Sequence, residues 1–484
     1  MPQTIDVMHC SSEVHPFSKT GGLADVSLAL PEALSRLGLK VTIVTPLYRC
    51  VDKEKFNIEP FQKPFELTLG GRTFNFQLYH TALPHGTQVF FVGCDKLYDR
   101  DYLYGTKEGD YPDNYLRFAF FSKAIFRVIR ALRKTPDILH CHDWQTGLVP
   151  AFNNIDFHDS YATVFTVHNL AYQGLFQAEV MPEIGIPWEY FTPEYIEFYG
   201  KVNFLKAGLV FADRITTVSP QYAKEILTEE FGYGLHGVLR KREAVLHGIL
   251  NGVDYTEWNP ETDKLIPQNY SIHDLRGKKV CKEALLKEFE VQCPQDAPLF
   301  GMVGRLCEQK GFDIVAKIAH VFDASGAGLV ILGTGDRFIE ELLRSVASKY
   351  PGRISVKVAY DNRLAHLIEA GSDFFFMPSR FEPCGLNQMY SMKYGTIPVV
   401  HGTGGLRDTV VDIGEPNGTG IVFYGVTPKS AEEAIGRAVA LFHDKERFSV
   451  VQRNAMTQDF SWDRSAKAYV ALYEDLLGTA TIGK

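Results

Sequence analysis

The chain has no run of 18 apolar residues, no Cys-x-x-Cys pair and no run of lysines and arginines that would lay a basic stripe on one face, and each absence closes off a class of protein. Without a long apolar run there is no candidate for a membrane-spanning helix, so no membrane is expected as a partner. The eight cysteines, Cys10, Cys50, Cys94, Cys141, Cys281, Cys293, Cys307 and Cys384, are scattered. That spacing excludes a disulfide framework or a zinc ribbon and fits a reducing, cytoplasmic setting. With a formal charge of −8 and no basic stripe, nucleic acid is not expected as a partner. Met1 to Asp6 lacks the basic segment and following apolar run of an export leader. Tandem repeats and low-complexity segments are also missing.

What is present is material for more than one core. The 484 residues exceed the roughly 250 to 300 at which a single core stops growing. Apolar residues make up 45% and charged residues 22%, the balance of an ordinary globular protein. Ile5 to Cys10, a glycine-containing loop, an apolar-periodic segment from Leu23 to Gly38 and Lys40 to Pro46 read as a βαβ unit. Further strands are expected at Gln88 to Gly93, Asp137 to Cys141, Ala162 to Val167 and Arg214 to Ser219, with a helix over Tyr115 to Arg133. A second series has strands at Leu299 to Val303, Gly328 to Leu332, Ser355 to Tyr360, Phe374 to Pro378 and Ile397 to His401, with a helix over Phe338 to Tyr350.

Continuous apolar strands alternating with helices imply parallel sheets covered on both faces. The expected fold class is therefore α/β, with two Rossmann-like doubly wound domains. They are assigned to residues 1–250 and 298–460, joined by a Pro-, Asp- and Asn-rich linker at 251–297. Residues 461–484 read as a closing amphipathic helix that packs back on the first domain.

In open α/β sheets ligands bind at the carboxyl ends of strands, so the loops there carry the functional reading. Lys19-Thr20-Gly21-Gly22-Leu23-Ala24-Asp25 offers two glycines, a helix N-terminus and a cation. That outlines an anion site, although an ordinary glycine turn with a solvated lysine fits the same residues. In Gly304-Arg305-Leu306 to Lys310-Gly311 two cations flank a short loop, suited to a diphosphate or to solvent. Ser379-Arg380-Phe381-Glu382-Pro383-Cys384-Gly385-Leu386 places a carboxylate and free amides at a helix start. They can orient sugar hydroxyls, or Glu382 can serve as a capping acid. One echo stands out: Gly21-Gly22-Leu23-Ala24-Asp25-Val26 is matched by Gly404-Gly405-Leu406-Arg407-Asp408-Thr409-Val410.

Taken with His142-Asp143-Trp144, Thr166-Val167-His168-Asn169-Leu170, Asn251-Gly252-Val253-Asp254 and Glu382-Pro383-Cys384-Gly385-Leu386-Asn387-Gln388, these segments resemble the bacterial glycogen synthases and plant starch synthases. The likeness runs in the same order over nearly the whole chain. It implies the GT-B fold, with two domains facing a central cleft. It also implies retaining transfer of glucose from ADP-glucose to the non-reducing end of an α-1,4-glucan, with no cofactor and no metal. By the same resemblance His168, Arg305, Lys310 and Glu382 carry the chemistry. The donor is contacted by Lys19, Gly22, Asn251, Arg305, Lys310, Glu382, Cys384, Gly385, Leu386, Gly404 and Gly405. Asp25 and Asp143 face the acceptor side. The second glutamate of many related transferases, eight positions after Glu382, would fall at Tyr390, a departure shared by synthases of this type.

Rival readings use the same sequence. His140-Cys141-His142-Asp143 mimics a metal pair but lacks a third ligand at suitable spacing. Asp99-Arg100-Asp101 mimics the metal-binding motif of other transferases and otherwise reads as a solvated turn. Tyr98, Tyr102, Tyr104 and Tyr111 offer sugar stacking or plain packing. A front-face displacement is expected, because no carboxylate pair reads as the nucleophile and acid of a glycosidase. A sucrose-synthase-like hexosyltransferase or a non-catalytic glucan-binding protein are the alternatives.

Overall fold

Strands that are apolar throughout bury both faces, and that requirement organises the chain. The computed structural model describes residues 4–84, 86–294 and 296–482. It divides into two compact units, 1–252 with 462–484, and 253–461.

In the first unit β1 (Asp6–Cys10) runs into α1 (Gly22–Arg36) and β2 (Lys40–Pro46). Then come β3 (Glu59–Leu69), β4 (Arg72–Ala82), β5 (Gln88–Gly93), α2 (Asn114–Leu132), β6 (Ile138–His142), β7 (Ala162–Val167), β8 (Arg214–Thr217) and β9 (Leu246–Gly248). Among the described residues these strands form one sheet in the order β9-β8-β7-β6-β1-β2-β5-β4-β3. Neighbours from β9 to β5 are parallel, whereas β4 pairs antiparallel with both β5 and β3. That edge hairpin was not anticipated. In β4 the buried Phe74, Phe76 and Leu78 alternate with more exposed residues, the period-two signature of a strand covered on one face.

The second unit contains α3 (Arg276–Glu288), β10 (Leu299–Val303), α4 (Phe312–Ala324), β11 (Gly328–Gly333), β12 (Ile354–Val358), β13 (Phe374–Met377), α5 (Asn387–Lys393), β14 (Ile397–His401), α6 (Gly404–Thr409) and β15 (Ile421–Phe423). Its sheet is parallel throughout, in the order β12-β11-β10-β13-β14-β15.

The stretch 251–297, read as a linker, is instead part of the second unit from Val253 onward. Its asparagines and aspartates close tight local turns. Asp254 Oδ1 accepts from the N–H of Thr256 at 2.8 Å, and Asp263 Oδ1 from that of Leu265 at 2.8 Å. Helix α3 then docks through buried lysines. Lys278 Nζ donates to the Ala370 carbonyl at 2.9 Å, and Lys282 Nζ to Asp373 at 2.6 Å.

Helix α7 (Trp462–Ile482) packs on the first unit's sheet with α1, burying Trp462, Tyr469 and Tyr473 beside Val26, Leu30 and Val164. Arg36 and Arg214 tie it down through Asp463 and Asp475, each at 2.9 Å.

Candidate active site

Because β1, β6 and β7 are adjacent, the loops after them lie side by side at one end of the first unit's sheet. The loop after β1 is built around Glu13, which sequence reasoning passed over and which is only 3% exposed. Its Oε2 accepts from the N–H groups of Thr20 at 2.5 Å and Gly21 at 3.3 Å. Its Oε1 accepts from the hydroxyls of Thr20 and Tyr104, both at 2.6 Å. Four donors satisfy this carboxylate within the protein, so its role is to hold the loop.

Lys19 lies on the outside of that loop, where its Nζ meets Asp25 Oδ1 at 2.6 Å with both side chains about one-third exposed, at 34%. A pair this exposed contributes little to stability. A methyl group added at Gly21 or Gly22 would meet nothing within 4 Å, which leaves the N-terminus of α1 open to a ligand.

Asp143, directly after β6, has φ 56° and ψ −178°, backbone space that side chains rarely enter and that stores roughly 1–3 kcal/mol. Its surroundings impose the shape. Its N–H donates to the Thr166 carbonyl at 2.9 Å, and its Oδ1 accepts the N–H of His168 at 2.7 Å. Burial pushes this carboxyl up to about 7, against the amides of His168 and Asn169 and with the help of Glu13's charge. Asp143 thus fixes the backbone of His168, which begins the loop after β7.

The imidazole of His168 is kept neutral by burial, which pulls it down to about 3. Its Nε2 lies 3.0 Å from Nδ1 of His142, whose Nε2 lies 3.2 Å from Nδ1 of His9. His9 supplies the third imidazole that the His-x-His reading lacked. It faces His140 across the β1–β6 register, and nitrogens of His9, His140 and His142 lie within 4.8 Å of one another. Both nitrogens of His140 are already engaged, with the Tyr473 hydroxyl at 2.7 Å and the Thr166 hydroxyl at 2.6 Å. Asn251 is buried beyond β9 with its Oδ1 lacking a hydrogen-bond partner.

The other decoys have structural partners. Asp99 and Asp101 both grip Arg49, at 2.7 and 2.6 Å. Tyr98 is buried and donates to the Arg117 carbonyl at 2.9 Å, Tyr104 serves Glu13, and Tyr111 stacks against Arg100 and Arg117. Tyr102 is exposed.

In the second unit the loops after β10 and β13 are strapped together. Arg380 forks onto Asp313 at 2.8 Å through both terminal nitrogens, and it donates to the Glu308 carbonyl at 2.6 Å. Its own N–H donates to the Gln309 carbonyl at 2.8 Å. Gly311 passes so close to Pro378, at φ +73°, that no side chain fits there. This strap brings Lys310 Nζ to within 2.5 Å of Glu382 Oε2, with the carboxylate side chain 7% exposed and the lysine 24%. The Ser379 hydroxyl donates to the same oxygen at 3.2 Å. Two residues expected to serve the diphosphate and the sugar separately are therefore each other's counterions. Arg305 is exposed at the end of β10.

The glycine echo has two different causes. Gly404 (φ +44°) and Gly405 lie against the carbonyls of Glu382 and Cys384, and the Gly405 N–H donates to the Glu382 carbonyl at 3.0 Å. Gly21 and Gly22 leave space open, whereas Gly404 and Gly405 let two loops touch. Gly385 is also in the left-handed region, at φ +71°. Leu386 precedes α5, on which Tyr390 stacks on Trp258 with centroids 4.0 Å apart and an interplanar angle of 1°.

Residues 6–241 match the starch synthase catalytic domain, and residues 286–454 match the glycosyl transferases group 1 family. The catalytic domain of starch synthase IV from Arabidopsis thaliana, solved with ADP and acarbose, is 32% identical. It superposes with a TM-score of 0.91 over 98% of this chain and all of that one. Sucrose-phosphate synthase from Thermosynechococcus elongatus, at 18% identity and a TM-score of 0.61, shares the fold alone. Two doubly wound units with these loops at their strand ends define a glycosyltransferase of the GT-B fold. Whole-chain relatives narrow the class. Glycogen synthase from Koribacter versatilis is 46% identical over 97% of both chains, and glycogen synthase from Thioalkalivibrio sulfidiphilus is 46% identical over 97% of this chain and 99% of its own. The chain belongs to the glycogen and starch synthase family.

Proposed function

We propose that the enzyme transfers glucose from ADP-glucose to the non-reducing end of an α-1,4-glucan with retention at the anomeric carbon, releasing ADP. The observation that carries this reading is the Lys310–Glu382 pair, held at the strand ends of a chain whose whole-length relatives are glycogen synthases, with Arg305 exposed in the same loop as Lys310. Arg305 and Lys310 take the diphosphate, and Glu382, released from Lys310 as the phosphates arrive, takes the glucosyl hydroxyls. Cys384, Gly385, Leu386, Gly404, Gly405, Asn251, Lys19 and Gly22 complete the donor contacts, with Asp25 and Asp143 toward the acceptor. The bond from C1 of glucose to the diphosphate breaks, and the acceptor's 4-hydroxyl oxygen bonds C1 on the same face. Its proton passes to the departing phosphate oxygen. Charge growing on that phosphate is stabilised by the two cations, and charge growing at C1 by the main-chain carbonyl of His168.

No helix among the described residues is long and apolar enough to cross a membrane, and all eight cysteines are free thiols. The free thiols suit a reducing, cytoplasmic setting. Incubation with glycogen and either ADP-glucose or UDP-glucose tests the assignment through glycogen-dependent release of nucleotide. ADP release is expected, and no release from either donor rejects the proposal. Activity is also expected to survive EDTA, since cations replace a metal at the diphosphate; loss on chelation with recovery on adding Mg²⁺ contradicts that role.

A further inference from the structure

Three imidazoles run in file from the interior of the first unit's sheet to the end of β7. His9 Nδ1 meets His142 Nε2 at 3.2 Å, and His142 Nδ1 meets His168 Nε2 at 3.0 Å. His9 and His142 are fully buried. Burial pulls His9 and His168 down to about 3 and His142 well below its ordinary value, so all three are neutral at pH 7.

A neutral imidazole has one N–H and one lone pair, and each contact needs one of each. The central ring therefore couples the other two. If His142 carries its proton on Nδ1, it donates to His168 and accepts from His9, which places every proton in the file on Nδ1. If it carries the proton on Nε2, every proton sits on Nε2. The head of the file decides between these patterns. Nε2 of His9 is buried and has no hydrogen-bond partner. A proton there would be an orphaned buried donor, which folded proteins hardly tolerate, whereas a bare lone pair is the less rare defect.

We infer that His9 and His142 are positioning residues that hold His168 as its Nδ1–H tautomer. His168 then presents a hydrogen-bond donor, not an acceptor, from Nδ1. This tautomer is a property of the resting protein, while its use toward a sugar oxygen rests on the function proposed above.

The experiment is neutron diffraction from deuterated crystals, or ¹⁵N spectra of histidine-labelled full-length protein, without substrate. Deuterium on Nδ1 of His9, His142 and His168 is expected. A proton on Nε2 of His168 overturns the inference whatever the enzyme acts on. His142→Phe is expected to release His168 into a mixture of tautomers and to lower kcat for glucosyl transfer about tenfold, with a smaller change in KM. A variant that stays folded and keeps a pure Nδ1–H form refutes the coupling. Equilibration with Zn²⁺ alone adds an independent arm. Tight, stoichiometric uptake lost in His9→Phe would show that the lone pairs serve a metal, and it would overturn the relay.

Discussion

The two units use buried histidine in opposite senses. In the first, His9, His140, His142 and His168 neighbour one another and hydroxyl groups, and burial keeps them uncharged. In the second, His366 is 1% exposed but has Asp263 Oδ2 at 2.7 Å and Glu257 at 3.8 Å. Burial pulls this imidazole down, and its acidic partners more than reverse that, raising it to about 9. The lesson is that burial alone keeps an imidazole neutral, and a carboxylate in contact overrides it. Among the proposed ligand groups the most buried follow the same division, with the neutral His168 imidazole in the first unit and the Lys310–Glu382 ion pair in the second, while the Lys19–Asp25 pair of the first unit lies at the surface.

The largest expected effect comes from breaking that ion pair. Lys310→Ala should lower kcat about 10² to 10³-fold, as for loss of one preorganised charge-stabilising donor. It should also lower the melting temperature, because Glu382 is left almost buried without its cation. Glu382→Gln should lose comparable activity but keep donor affinity. Adding it to Lys310→Ala should restore the melting temperature without the rate. Near-normal kcat in either folded single variant would remove the pair from the chemistry.

Next in size is acid lability of the first unit. An unfolded histidine titrates near 6.5, against about 3 for His9 and His168 when folded, so the unfolded chain binds more protons between those values. Stability is lost as pH falls from 6.5, on the order of 1 kcal/mol per pH unit for each histidine. Asp143, raised to about 7, opposes this between pH 4 and 7, but it is one group against several. Amide protection factors along β1, β6 and β7 should therefore fall at pH 5 before those along β10 and β13. Equal protection in both sheets would erase the contrast.

A smaller effect should appear at the alkaline end. The His366 contribution, complete below pH 6.5, is lost as pH rises through about 9. Trp258, stacked on His366 with centroids 3.8 Å apart, should report the transition by fluorescence, and His366→Gln should abolish it. Smallest is the glycine contrast. Gly404→Ala should destabilise by roughly 2–3 kcal/mol through a strained φ and a clash with the Glu382 carbonyl. Gly22→Ala should leave the melting temperature within a degree or two while raising KM for the donor. Equal melting of the two would mean the echo has one cause after all.

Much of this was legible in the sequence. Strands apolar on both faces announce themselves, and the loops after them carry Lys19, Asp143, His168, Arg305, Lys310 and Glu382 to strand ends, where α/β sheets bind ligands. Less legible was whatever depends on register or on distant partners. His9 joins His142 because β1 lies beside β6, which no local spacing reveals. Glu13 looks like one more acid until Thr20 and Tyr104 close over it. The segment from Val253 to Glu288 reads as a tether because turn-forming asparagines also populate linkers, and its docking rests on Lys278 and Lys282, residue types usually assigned to solvent. The edge hairpin escaped because its alternating pattern is weaker than the unbroken apolar runs beside it.

The contact between Gly405 and the Glu382 carbonyl bears on any attempt to redesign the proposed donor loop. A backbone hydrogen bond joins the start of α6 to the loop after β13, and a side chain at 404 or 405 would run into that loop's carbonyls, so the two segments are packed as one part. A library that randomises 382–386 alone would explore shapes that a fixed 404–405 cannot accommodate. Varying both segments together, with glycine retained at 404, is the smaller and more productive search.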